Sequence, residues 1–165
     1  MNILTILDEY TNSIALDKDI KMWCLNNYSQ AHRIFNGVDT RRPPGKTEMP
    51  AIHLIPVNKQ VGWELESIPH TMGVICEIYD ENKTTETIDD VIITKYTGIN
   101  NIEEFRKLIE NCIQNVDVGA NSDLENLRID EIKIDYEAIE YFPFFRAFME
   151  ISFIKDLYQG DDPFE

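Results

Sequence analysis

The sequence predicts an α+β fold: a mainly antiparallel sheet with helices packed on one face, in a single domain over residues 1–165. Three observations predict it. Ile102, Phe105, Leu108, Ile109, Cys112, Ile113 and Val116 form one continuous apolar stripe at helical spacing, as a helix lying across a sheet requires. Phe145, Ala147, Met149, Ile151 and Phe153 alternate with Arg146, Phe148, Glu150 and Ser152, the period of a strand. The element order is helix, helix, strand, strand, strand, helix, strand, strand, which lacks the regular alternation of a parallel α/β sheet.

Residues 1–35 read as a helical N-terminal region. Ile3, Ile6, Leu7 and Tyr10 keep helical spacing, and a second helix starts near Asp17 or Asp19, where an acid suits a helix N-terminus. Asn36-Gly37 is its expected stop. Residues 38–50 read as an ordered loop built on Arg41-Arg42-Pro43-Pro44-Gly45-Lys46. Strands are expected at 51–57, 71–80 and 91–96, separated by loops over 58–70 and 81–87. The helix at 101–116 carries an Asn101–Glu104 capping pair at its start. Gly119 to Asn126 reads as a loop. A strand alternates Ile132, Ile134, Tyr136 and Ala138 inward, Pro143 breaks the run, and the last strand follows. Residues 156–165 read as a mobile tail.

The charge excludes some functions. Fifteen Lys and Arg stand against thirty Asp and Glu, a net charge of -15. Phosphate neutralisation needs cations, so sequence-specific nucleic-acid binding is not expected, and neither is binding to an anionic membrane. Cys24, Cys76 and Cys112 are odd in number and far apart, so no disulfide framework follows and a reducing compartment fits. No export signal opens the chain and no apolar run reaches membrane-spanning length, so a cytoplasmic location is expected.

No catalytic motif is present: no phosphate loop, dinucleotide fingerprint, nucleophile elbow or zinc-protease helix. His32, His53 and His70 show no metal-ligand spacing. Asp89-Asp90 on a strand would point to opposite faces, and Glu103-Glu104 suits a helix N-terminus better than a catalytic pair. No catalytic residue, metal or cofactor is therefore expected. Two segments stand out from an acidic surface instead. One is the basic loop with Arg41, Arg42 and Lys46. The other is the aromatic run Tyr141-Phe142-Pro143-Phe144-Phe145 with Phe148, more than one face of a strand buries. Candidate contact residues are Arg41, Arg42, Lys46, Trp63, Phe142, Phe144 and Phe148, and a closed ring would use two such patches heterologously.

The layout resembles that of a known family. "IFNGVDTRRPPGKTEMPAIHLIPVNKQVG", then "HTMGVICEIYDE", the helix "NNIEEFRKLIENCI" and the closing "FPFFRAFMEISFIKD" resemble the tail-completion (tail-terminator) proteins of long-tailed phages and prophages over roughly residues 30–155. That resemblance implies an α+β subunit of a homo-oligomeric ring, a hexamer, that caps the tail tube, stops its growth and joins it to the head. It implies tail-tube and head-completion partners, a place in the virion tail, and no catalytic residues. A head-side neck or connector subunit is a second reading. An acidic immunity-type protein that binds a basic toxin or nuclease is a third, and an enzyme with an unrecognised site is a fourth.

Overall fold

A computed structural model describes residues 2–59, 67–117, 124–137 and 142–156. Among them are three helices, α1 (Ile3–Leu16), α2 (Lys18–Tyr28) and α3 (Thr97–Gln114). The strands are β1 (Arg33–Asn36), β2 (Ala51–Lys59), β3 (Ser67–Tyr79), β4 (Lys83–Ile88), β5 (Val91–Tyr96), β6 (Leu127–Glu137) and β7 (Phe144–Asp156). Five form one sheet in the order β1-β2-β3-β7-β6, antiparallel except for the β1–β2 pair, while β4 and β5 form a separate two-stranded sheet. The fold is the predicted α+β domain.

Strand periodicity decides which side chains enter the core. Ile52 and Leu54 of β2, Met72, Val74, Cys76 and Ile78 of β3, and Phe145, Ala147, Met149, Ile151 and Phe153 of β7 share one buried cluster. The helices cover that face. They contribute Ile6, Leu7, Tyr10 and Ile14 from α1, Ile20 and Cys24 from α2, and Ile102, Phe105, Ile109 and Ile113 from α3. The stripe of α3 is the one the sequence predicts, with Leu108 and Cys112 half-buried at its rim. Asp17 caps α2 as expected, its Oδ1 accepting from the Ile20 amide at 2.9 Å.

One glycine sets how closely α3 approaches the sheet. Gly98 is buried in the first turn of α3, and a Cβ there would overlap the ring of Phe145. Gly98→Ala should therefore cost about 1–3 kcal/mol through overpacking, although Ala is favoured over Gly in an ordinary helix. Urea denaturation checks this, and a variant as stable as the parent would mean that the contact is loose.

Four expectations need correction. Residues 1–35 are not helical throughout. Ser29 takes a left-handed conformation (φ 58°) and ends α2, and Arg33–Asn36 becomes β1, parallel to β2. Gly37, at φ 122°, turns the chain out of β1 rather than out of a helix. Second, α3 starts at Thr97, so Asn101 lies inside it and caps nothing: its Nδ2 donates to Asp80 Oδ2 at 2.9 Å. Third, the expected 81–87 loop contains β4, which pairs with β5 from Lys83↔Tyr96 to Ile88↔Val91. Thr-rich Lys83–Ile88 has the β-branched residues of a strand, and Asp89 and Asp90, both at positive φ (48° and 66°), make the tight turn. Fourth, β2, β3 and β6 run longer than predicted, so much of the expected 58–70 loop is strand. The readings for Trp63, Tyr141, Ala138, the residues 118–123 and the 157–165 tail lie outside the described residues.

Candidate functional site

Among the described residues no helix lies on the second face of the sheet. Its outward positions carry His53 and Ile55 from β2, Gly73, Ile75, Glu77 and Tyr79 from β3, and Phe144, Arg146 and Phe148 from β7. The loop that follows β1 folds over this face. Between loop and sheet lies a recess of about 590 Å³, walled by Val38, Pro43 and Pro44 above and by Ile75, Phe144 and Phe148 below. That is within the roughly 300–1,000 Å³ range of ligand-sized clefts. The loop is pinned at both ends. The Arg41 amide donates to Asp39 Oδ1 at 3.0 Å, the Gly45 amide donates to Glu48 Oε2 at 3.0 Å, and Glu48 pairs with Arg33 of β1 at 3.3 Å.

A charged network forms the floor. His53 is 3% exposed and Glu77 2% exposed. His53 Nδ1 lies 3.0 Å from the Gly37 carbonyl oxygen, and its Nε2 lies 3.0 Å from Glu77 Oε2. Arg146 Nε donates to the other oxygen of Glu77. Glu77 and Arg146 are direct cross-strand partners on β3 and β7. Both ring nitrogens face oxygen atoms, an arrangement that favours the doubly protonated ring. Burial opposes that charge, but the hydrogen bonds to Glu77 and Gly37 and the Glu77 charge outweigh it, raising the His53 pKa. Burial likewise opposes the Glu77 carboxylate, but the hydrogen bonds from His53 and Arg146 outweigh it and lower its pKa. Phe35 stacks on the other side of the ring, centroids 4.8 Å apart. An imidazole with both nitrogens engaged has no lone pair left for a proton, a metal or a substrate, so this network fixes the floor.

The candidate contact residues divide by position. Phe144 and Phe148 line the recess, while Arg41 and Arg42 are exposed on the loop above it. Lys46 Nζ lies 4.4 Å over the Tyr79 ring, and Tyr79 meets Phe144 edge-on at 5.1 Å. The basic loop and these two aromatics therefore border one surface, where the sequence suggested two separate patches. Phe142 is elsewhere: exposed, it packs edge-on against Tyr96 at the root of the β4–β5 hairpin, 5.2 Å between centroids. Gly73 lets Ile55, Val57 and Phe148 close over its backbone, since a Cβ there would meet Ile55 Cγ1 at 2.8 Å and Phe148 Cε2 at 2.9 Å.

The three histidines do not converge. His53 lies on the outer face, while His70 is buried on β3 and His32 half-buried before β1. Burial pulls the pKa of both His32 and His70 down. Among the described residues no cluster of three His, Cys, Asp or Glu side chains is poised for a metal, and no helix is long and apolar enough to cross a membrane. No protein-family model matches the chain, and no curated protein matches it.

The second exposed feature is the β4–β5 hairpin. Every residue of β4 is exposed, and of β5 only Ile93 is half-buried. Ile88, Val91 and Ile92 flank the Asp89-Asp90 turn at 55%, 61% and 71% exposure. Its root, by contrast, is fastened. Asp80 accepts hydrogen bonds from the Asn82 amide and Nδ2, from Thr97 Oγ1 and from Asn101 Nδ2, all at 2.8–2.9 Å. This tie joins the end of β3, the start of the hairpin and the first turns of α3. Sequence reasoning found β5 but missed β4 and its pairing because the turn between them is Asp-Asp, without the glycine that marks most such turns.

Proposed function

We propose that this chain is a non-catalytic assembly subunit, a tail terminator that forms a ring on the end of a phage tail tube and joins the tube to the head. The β4–β5 arm carries the reading. An isolated two-stranded hairpin is marginal in water, and this one leaves three large aliphatic side chains bare at its tip. An arm that buries almost nothing in its own domain, yet is firmly tied at its root, suits contact with another subunit. The sequence resemblance supplies the kind of assembly, a hexamer with tail-tube and head-completion proteins as partners. The closed hydrogen bonding of His53 and Glu77 supports a structural rather than a catalytic role for the one buried charged network on the open face. The net charge of -15 suits a channel that DNA must traverse without adhering.

The test pairs the chain with a candidate tail-tube protein from the same gene cluster. With this protein present, tubes should be capped and uniform in length, and without it they should grow overlong, as electron microscopy reads directly. Tube length indifferent to the protein would overturn the reading. Tight 1:1 capture of a basic toxin or nuclease would then favour the immunity-type alternative, and binding to the portal end alone would favour a head-side connector.

A further inference from the structure

We propose that the β4–β5 tip of one copy docks into the recess between the 38–45 loop and the helix-free sheet face of a second copy. This deepens the assembly reading above and rests on it, naming the two surfaces that meet.

Charge identifies the occupant. The tip presents Asp89 and Asp90 between Ile88 and the pair Val91-Ile92, two acids framed by bare aliphatics. The recess offers the complementary arrangement. Val38, Pro43, Pro44, Ile75, Phe144 and Phe148 give it apolar walls, the His53–Glu77–Arg146 network gives it a charged floor, and the loop above it, which also places Asp39 at the recess, carries Arg41-Arg42, both exposed. Among the described residues the Arg41 side chain meets Asp39 at 3.7 Å and lies almost wholly in solvent. In a chain with thirty acids and fifteen bases, most of the surface of a second copy is acidic, and the tip would be repelled by it. The Arg41-Arg42 loop is the strongly basic segment of this sequence, so it is where an acidic tip of the same chain is attracted.

Reach and symmetry agree with this. Each arm strand has six residues, so the tip stands roughly 20 Å from the Asp80 root at about 3.3 Å per residue. Tip and recess are different surfaces of one chain, and such heterologous pairing generates a ring when the rotation closes. The aliphatics would bury against Pro43, Pro44, Phe144 and Phe148 while the acids stay at the rim beside the arginines. A rim contact of this kind is screened by salt over a Debye length of about 8 Å at physiological ionic strength, so docking weakens as salt rises.

Cysteine cross-linking tests the pairing. Asp90→Cys and Arg42→Cys single variants are purified, mixed in equal amounts and oxidised. The native Cys24 and Cys76 are buried and Cys112 is half-buried, which keeps the background low. The expected result is a mixed disulfide dimer enriched several-fold over that of Asp90→Cys with Lys133→Cys, whose exposed site lies on edge strand β6. The doubly substituted chain should give a ladder of multimers. Asp89→Lys in the Asp90→Cys chain and Arg41→Glu in the Arg42→Cys chain should each lose the enrichment, and mixing these two charge-reversed chains should restore it. That rescue separates a docking defect from a folding defect. Enrichment no greater than the Lys133→Cys control overturns the proposal, as does cross-linking of Arg42→Cys to the tube protein instead of to the tip. If tube length depends on this chain but the mixed dimer is not enriched, the docking falls and the tail role stands. An enriched dimer without any effect on tubes leaves the docking standing and the tail role fallen.

Discussion

Glu77→Ala should lower the unfolding free energy by about 3–5 kcal/mol, because it strips a buried imidazolium and a partly buried guanidinium of the carboxylate between them. The loss of one partner from a buried ion network is costly because the remaining charge keeps its desolvation penalty without its compensation. Glu77→Gln keeps the shape and one acceptor, so it should fall between parent and Ala. Urea titrations followed by far-UV circular dichroism measure both. A loss under about 1 kcal/mol for the Ala variant would mean that water reaches His53 and takes the place of Glu77.

The same network predicts a pH window. The His53 pKa is raised from 6.5, so its contribution is fully present below pH 6.5 and is lost as the pH climbs through the raised folded value. The Glu77 pKa is lowered from 4.5, so its contribution is fully present above pH 4.5 and is lost as the pH falls through the depressed folded value. The stability difference between parent and Glu77→Gln should therefore be largest between pH 4.5 and 6.5 and shrink on either side. A difference that grew steadily from pH 6 to 9 would contradict the protonated His53.

Phe105→Ala should also cost about 3–5 kcal/mol, the range for deleting a buried aromatic ring. Phe105 is fully buried and stacks on Trp23 with centroids 5.1 Å apart and planes 16° from parallel. Trp23 is held in turn by its Nε1 donating to Glu104 Oε2 at 3.2 Å and by Tyr28, 5.6 Å away. The cavity would open where α2, α3 and the sheet meet, and neighbours fixed on two sides have little freedom to fill it. Leu108→Ala, at the half-buried rim of the same stripe, should cost clearly less. If the two variants ranked the other way, the buried face of α3 would be misplaced. Calorimetry and denaturant midpoints both read the ranking.

Local periodicity made much of this architecture legible. The α3 stripe and the β7 alternation name almost every core residue of those elements, because burial there repeats every few positions. The outward parity of His53, Glu77 and Arg146 was legible in the same way. Their meeting was not. Glu77 lies 24 residues from His53 and 69 from Arg146, and only the order of strands in the sheet brings them together. Strand order is a property of long-range pairing, which no window of sequence contains. The short β1 was lost for a related reason: four residues are too few for alternation to register, and the strand exists because β2 offers it a parallel edge. Arg106 was missed too. It sits on α3 buried between Glu103 and Glu110, with Tyr136 of β6 donating to Glu103, so a charged residue of the helix closes the gap to the edge strand.

The place of β7 in the sheet has a consequence for how the molecule comes into being. Its partners β3 and β6 are not bonded to each other, so β7 must insert between them, and its register with β3 runs from Tyr79↔Phe144 to Ser67↔Asp156. Until β7 emerges from the ribosome, β3 keeps an unpaired edge along all thirteen of its residues, with Met72, Val74, Cys76 and Ile78 on one side of it. Such an edge is a template for pairing with another nascent chain. Contacts this distant along the chain also slow the search for the native pairing, since loop closure must precede the contacts that reward it. A cell making many copies at once thus has an interval of vulnerability in every chain, and a chaperone that shields a nascent strand edge would act in that interval.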